Sequence, residues 1–374
     1  MQQHFRIFEA WRLMAALLIM TWHFLRYAPP GHEAVSASLY RLMPLMEMFF
    51  MISGFLIMLR YGDVLRFERN GYMRFIIRRI ARFYPLYLVT LAFFAVVALA
   101  VHFGLVHTDS PERYSFGALI PNILLIQAWG VTDTLTYNYV AWSMSAEWFC
   151  YLLLPVIVTA YRVAGKTGLA VVALLSIAAL EWAVAAGLIP FPSWLRADTW
   201  GAYRAFADFA MGALVAIAAR DSRWRLMSHA PAWICFGLSV AAMAMLLSSY
   251  MIVGLLGLSL FLAAVAERNN PDGSRFLAPL HPVGKVSLGI YLIHPVIEAI
   301  LFAIVWRKLV EPLGVVDFYT FWLLPMLTVI AVALASERWF ETPLANLIGA
   351  WAKRRYPPTG QVGSEKVAVQ PGAA

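Results

Sequence analysis

Between Phe8 and Tyr27 the chain reads FEAWRLMAALLIMTWHFLRY, an apolar run of membrane-spanning length that nevertheless holds Arg12 and His23. Further apolar runs follow at approximately 43–60, 83–103, 140–161, 168–188, 202–219, 231–249, 251–267, 285–306 and 320–340. In hydrocarbon, every backbone N–H and C=O must be bonded within the structure, so runs of this length become helices. The pattern predicts an all-α, polytopic membrane protein of about ten transmembrane helices. Apolar residues make up 61% of the chain and charged residues only 13%, which excludes an ordinary soluble domain. The net charge of +8 does not imply nucleic acid, because the basic residues gather in particular loops. With the N-terminus in the cytoplasm, 22 of the 29 Lys and Arg residues fall on the cytoplasmic side and 7 on the other. The positive-inside bias therefore favours both termini in the cytoplasm. Cys150 and Cys235 lie in apolar segments and offer neither a disulfide framework nor metal-ligand spacing, so no metal is expected. The first run carries Arg12 and His23 and no small-x-small site follows it, unlike a cleavable signal peptide. The expected organisation is one integral membrane domain over residues 1–350 and a Pro/Gly/Ala-rich, disordered cytoplasmic tail over 351–374. The long external connection 104–139 contains Leu119–Trp129, too short to span and read as re-entrant or interfacial.

Arg12 and His23 are the first functional signal. Eleven positions separate them, which returns them to within about 20° of one helix face and roughly 16 Å apart along the axis. Ionisable groups inside a span are costly and usually face a protein interior or a water-filled path. The first helix is therefore read as a wall of a cavity, with Arg12 toward the cytoplasm and His23 toward the outer face. Snorkelling and simple capping of a carbonyl are the bland alternatives.

Other candidates fall near these two depths. Glu47, in LMEMFFMISGFLIML, sits close to the level of His23, and Ser53-Gly54 behind it invites close helix packing. Arg78, Arg79 and Arg82 begin the third run; Arg79 and Arg82 share a face and suit a phosphate-bearing ligand, or else anchor the helix at lipid head groups. Glu147 lies in WSMSAEWFCYLLLP, where Ser143 is a candidate cap and Trp142 and Trp148 suit an aromatic belt. A carboxylate beside an imidazole orients it and stabilises its cation, so Glu147 and Glu47 are both candidate partners for His23. Arg204 and Asp208 read as a structural i, i+4 pair. Tyr291 and His294 project near mid-membrane, His294 reading as a satisfied interior histidine, and Glu341 is placed to pair with the 78–82 arginines.

Taken together and in this order, Arg12 with His23, EMFFMISGFLI, RRIARFYPLY, WSMSAEWFCYLLLP, SLGIYLIHP and ETPL make the chain resemble the acyltransferase 3 family of integral membrane acyltransferases. That group includes polysaccharide and lipopolysaccharide O-acetyltransferases and Nod-factor acetylases. The resemblance runs from the first helix to Pro343. It implies a catalytic role for His23 and acyl-donor binding by Arg12, Arg79 and Arg82. The family commonly has aspartate where Glu47 stands and two acids where this chain has Glu147-Trp148. The extra extracytoplasmic esterase-like domain of some relatives is not expected here.

The function expected on this basis is transfer of an acyl group, acetyl foremost, from cytoplasmic acyl-coenzyme A to a hydroxyl of a carbohydrate or lipid-linked glycan. The setting expected is a bacterial cytoplasmic (inner) membrane, with membrane lipids as the other partners and no nucleic acid. His23 serves as general base, or carries the acyl group briefly. The rival is a glycolipid or polysaccharide transporter without covalent chemistry, since intramembrane charges also mark a substrate path.

Overall fold

The computed structural model describes residues 5–62, 69–196 and 198–357, and among these there is no strand. The helices are α1 Arg6–Phe24, α2 Glu33–Arg41, α3 Glu47–Tyr61, α4 Arg69–His102, α5 Leu119–Ile123, α6 Trp142–Leu152, α7 Leu154–Ala185, α8 Gly201–Asp221, α9 Ala230–Ala244, α10 Ser249–Asn269, α11 His281–Gly284, α12 Ser287–Ile297, α13 Glu311–Leu313, α14 Phe318–Ser336 and α15 Thr342–Arg355. Among the described residues, seven helical stretches are long and apolar enough to cross a membrane: Met43–Tyr61, Arg69–His102, Leu154–Ala185, Asp198–Asp221, Ser249–Asn269, Ser287–Leu313 and Phe318–Arg355. They mark the chain as an integral membrane protein.

Each of the ten runs read from the sequence falls on helix, but the divisions differ in places. The run 140–161 breaks at Leu153, which separates α6 from α7. Helix α7 in turn holds two helices, because Ala164 and Gly165 leave helical geometry and Gly165 takes φ +57°. A Cβ on Gly168 would stand 2.1 Å from the Ala160 carbonyl oxygen. Eight residues of continuous helix would hold those positions about 12 Å apart, so the chain doubles back here, at the turn expected over 162–167. Toward the C-terminus, α14 continues through a wider turn at Glu337–Glu341 into α15. The tail expected from 351 thus begins inside a helix that runs on to Arg355; residues 358–374 lie outside the described residues. Asp317 starts α14 by accepting the Tyr319 and Thr320 amides at 3.0 Å. Those bonds and one from the Thr320 hydroxyl hold its carboxyl below the ordinary aspartate range.

The centre of the molecule is the contact between α3 and α8. A Cβ on Gly54 would lie 2.0 Å from the Phe209 carbonyl oxygen, and one on Gly212 would lie 1.9 Å from the Met51 carbonyl oxygen. Two glycines on opposite helices thus let the backbones touch, the close approach that Ser53-Gly54 suggested. Helix α8 is consequently buried along much of its length, with Arg204 and Asp208 enclosed among Ala205, Phe209 and Ala213.

This contact makes a direct prediction. Gly212→Val must push α3 from α8, because the obstacle is backbone rather than a side chain that can turn away. Overpacking of this kind costs about 1–3 kcal/mol or more. Gly237→Val, where a Cβ meets nothing within 4 Å, is the control. Thermal melts in detergent should show a large drop for Gly212→Val and little change for Gly237→Val; equal melting of the two would remove the role assigned to the contact.

Candidate active site

Helix α1 is unbroken from Arg6 to Phe24, so Arg12 and His23 do stand about 16 Å apart on one rod. Each lies in a different polar centre.

At the Arg12 end, Glu147 accepts hydrogen bonds from Ser53 Oγ and, at 2.6 Å, from the Tyr151 hydroxyl. The Arg12 guanidinium lies within electrostatic reach of Glu147, Arg82 and Tyr151, and its Cζ is 5.3 Å from the centroid of Phe49. Arg12 Nε is buried without a hydrogen-bond partner. The Arg79 guanidinium packs among the rings of Phe75, Tyr151 and Tyr61 at 5.2, 5.6 and 5.8 Å. Tyr151 feels both Arg79 and Arg82. Arg12, Arg79 and Arg82 thus converge on one place, around Glu147 and Tyr151. Among the described residues none of the three has a carboxylate within ion-pair distance. Arg78 is separate: it is exposed, and its Nε donates to the Arg74 carbonyl one turn back, at 3.2 Å. Glu341 accepts from Ser336 Oγ at 2.8 Å; Arg82 acts on it electrostatically, without the ion pair expected from the sequence.

At the other end, His23 is buried against three rings: Trp22 and Tyr139, each at 4.7 Å, and His294 stacked at 5.3 Å. Its Nδ1 is enclosed with no hydrogen-bond partner. Behind it, the Tyr139 hydroxyl donates to Glu298. Tyr139 is fixed by its neighbour Asn138, whose amide donates to Thr90 Oγ1 at 2.9 Å and to the Leu292 carbonyl at 3.1 Å. The His294 ring is fully buried, with the backbone of Ile290 and Tyr291 beside it. The His23 ring stacks on it at 5.3 Å.

Neither carboxylate proposed as the partner of His23 reaches it. Glu147 belongs to the Arg12 centre, and Glu47 is turned to α8. There Glu47 Oε1 lies 3.5 Å from Arg204, which also holds Asp198 at 2.8 Å and donates to the Leu195 carbonyl. The Arg204–Asp208 pair expected from their spacing does not form; Asp208 Oδ2 is buried with no hydrogen bond. The reason is that the α3–α8 contact delivers Glu47 to Arg204, and the Arg204 plane lies 4.6 Å over Trp142. Trp142 is therefore buried under a guanidinium, not set in an interfacial belt. Ser143 does not cap α6; its hydroxyl donates to the Val140 carbonyl at 3.3 Å.

The two centres are joined by rings. From His23 the contacts pass to His294, then to Tyr291 at 5.9 Å, then to Phe49 at 6.4 Å, on which Arg12 rests. Tyr291, His294 and Glu298 are spaced three and four apart and so share one face as α12 runs into the turn that follows it. Glu298 was the residue missed, and its spacing from His294 was the signal that could have found it.

A cavity of about 610 Å³ opens on His23. Trp22, Tyr139, Trp142 and Tyr291 line it together with Arg26, Arg113, Asp198 and Arg204. Arg12 is not part of its wall. The arrangement supplies a buried imidazole facing a saccharide-sized space at one end and a cationic cluster at the other. A base and an anion-binding site are the chemical roles these can play.

Comparison with known proteins gives this geometry a family. The family model described as an acyltransferase domain, acyltransferase 3, matches residues 5–336. Acyltransferase MdmB of Streptomyces mycarofaciens is 29% identical over 150 residues, which cover 38% of this chain and 36% of that protein. The chain thus aligns with about a third of that relative's length. No solved structure matches the chain. The matched span contains both polar centres and the rings between them, and the chain belongs to the acyltransferase 3 family of membrane acyltransferases.

Proposed function

We propose that this protein transfers an acyl group, acetyl foremost, from cytoplasmic acyl-coenzyme A to a hydroxyl of a carbohydrate or lipid-linked glycan, in a bacterial cytoplasmic membrane. The observation that carries the reading is His23, buried in the wall of a cavity, on the same helix as Arg12, which joins Arg79 and Arg82 of α4 in a cluster without carboxylate ion pairs among the described residues. Membership of an acyltransferase family favours this over transport without chemistry.

The donor's phosphates suit Arg79 and Arg82, whose forked donors match phosphate oxygens. Its pantetheine arm would run past Arg12 and beside Phe49 and Tyr291 toward His23, the path that the ring column follows. The acceptor occupies the cavity. His23 takes the proton of the attacking hydroxyl, the hydroxyl oxygen bonds to the thioester carbonyl carbon, and the carbon–sulfur bond breaks. The coenzyme A thiolate that leaves is neutralised by that proton. Tyr139, held by Glu298, and the stacked His294 fix the plane of the imidazole. Glu298 takes the orienting place once assigned to Glu47 or Glu147, acting through Tyr139 instead of touching the ring.

His23→Gln keeps size and one hydrogen bond but removes the base. Acetyl transfer to surface glycan, followed by mass spectrometry against a deletion strain, should fall on the order of 10²-fold or more. Acyl-coenzyme A binding should survive. Full transfer by folded His23→Gln protein would end this mechanism.

For the donor, Arg79→Ala and Arg82→Ala should each weaken acyl-coenzyme A binding about tenfold or more, the value of a lost charged hydrogen bond. Lysine at either position should restore part of it. Arg78→Ala should matter least, since Arg78 is exposed and turned to its own helix. Titration calorimetry showing all three alanine variants equal to the parent would reduce the cluster to a topogenic anchor.

The orientation with both termini cytoplasmic and ten spans follows from the charge count. Reporters fused after Lys353 and inserted near Thr132 should read opposite sides. The same side for both rejects the topology.

A further inference from the structure

The cavity on His23 carries more positive charge than catalysis by an imidazole explains. Four guanidinium groups line it, Arg26, Arg41, Arg113 and Arg204, against one carboxylate, Asp198. Arg204 and Asp198 neutralise each other at 2.8 Å. Among the described residues, Arg26, Arg41 and Arg113 have no carboxylate within 4.0 Å; Glu298 acts on this region from behind Tyr139, to which it is bonded.

These three side chains are also held in place. The Arg26 guanidinium lies 4.6 Å over the Trp22 ring, Arg113 lies 4.9 Å over Tyr139, and Arg41 donates to the Ala244 carbonyl at 3.2 Å. A guanidinium flat on an aromatic ring keeps its N–H edge free for a planar anion. Three like charges around one space repel each other unless an anion enters. On the proposed topology they also sit on the side that membrane proteins usually keep poor in arginine. Tyr40 adds an exposed ring on which a sugar can stack.

We infer that the cavity selects an anionic glycan, with Arg26, Arg41 and Arg113 gripping a carboxylate or phosphate while the hydroxyl to be acylated faces His23. This rests on the acyl-acceptor reading above and narrows its substrate class. Anionic lipid head groups offer the same chemistry, and the test separates the two.

The experiment is direct binding to the full chain in nanodiscs of phosphatidylcholine alone, followed by tryptophan fluorescence. The probes are oligogalacturonate and the same oligosaccharide after reduction of its carboxyl groups. Oligogalacturonate should bind about tenfold or more tighter, with the advantage shrinking as salt rises. Arg26→Gln/Arg113→Gln should remove the advantage. Arg41→Gln, at an exposed position and safe for folding, should reduce it. Equal binding of the two probes overturns the inference. So does an advantage that survives in all the variants; if these then lose only the phosphatidylglycerol that copurifies with the parent from cell membranes, the arginines are lipid anchors. Binding needs no acyl donor, so the two readings fail separately. Lost charge preference with intact His23-dependent transfer sinks this inference alone. Intact preference without any transfer sinks the acyltransferase mechanism alone.

Discussion

Two helices of this protein touch through their backbones, and the arrangement of its charged groups depends on that contact. Gly54 lies against the carbonyl of Phe209, and Gly212 against that of Met51. At that separation there is no room between α3 and α8 for side chains of any size. What the helices carry toward each other must therefore pair or clash. Glu47 meets Arg204, and Asp198 arrives from the chain just before α8 to complete the coordination. Removing one partner of a buried pair leaves an uncompensated charge, typically at a cost of about 3–5 kcal/mol. The cluster is thus tied to the fold itself, and it presents Arg204 and Asp198 to the wall of the cavity.

The two polar centres on α1 have different characters. Around Arg12 the groups are strongly charged: three arginines near one carboxylate, which is itself held by Ser53 and Tyr151. Around His23 the contacts are rings, and the hydrogen bonding lies one shell further out, in Tyr139 and Glu298. A cationic centre suits recognition of a highly charged molecule. A ring-packed imidazole with a free nitrogen suits proton transfer, since no donor ties down its lone pair. The rings of His294, Tyr291 and Phe49 span the distance between them. On the proposed mechanism a donor that enters at the arginines and reacts at His23 travels along that column, and the packing of Phe49 and Tyr291 would then govern access as well as stability.

Tyr139 shows how a loop takes part in such a site. It follows a connection without a spanning helix, in which Leu125 and Tyr137 adopt left-handed backbone conformations. Asn122 ties that connection internally, donating to the Thr136 hydroxyl at 2.7 Å and to the Ala118 carbonyl at 2.8 Å. Asn138 then pins it to α4 and α12. These bonds satisfy polar groups in an otherwise apolar setting, and they set the Tyr139 ring beside His23.

The sequence by itself determined the class, the helical segments and the axial spacing of Arg12 and His23. These are local matters: the lengths of apolar runs, and a helix that fixes rise and angle for any two positions on it. It also placed Arg79 and Arg82 on one face, and it showed that Gly54 lay where two helices could meet. Only the tertiary structure decided which acid meets which base. Read from the sequence, Glu47 and Glu147 both fit the depth of His23, yet Tyr139 is the residue set against His23, Glu147 eight positions on stands with Arg12 and Tyr151, and the α3–α8 contact carries Glu47 to Arg204. Arg204 and Asp208 have the right spacing for a pair, yet a carboxylate from another helix reaches Arg204 instead. Spacing along one span can be read from position, because it depends on one helix. Azimuth relative to neighbours cannot, because it depends on how every other helix packs, and here that packing turns on two glycines and the backbone they approach.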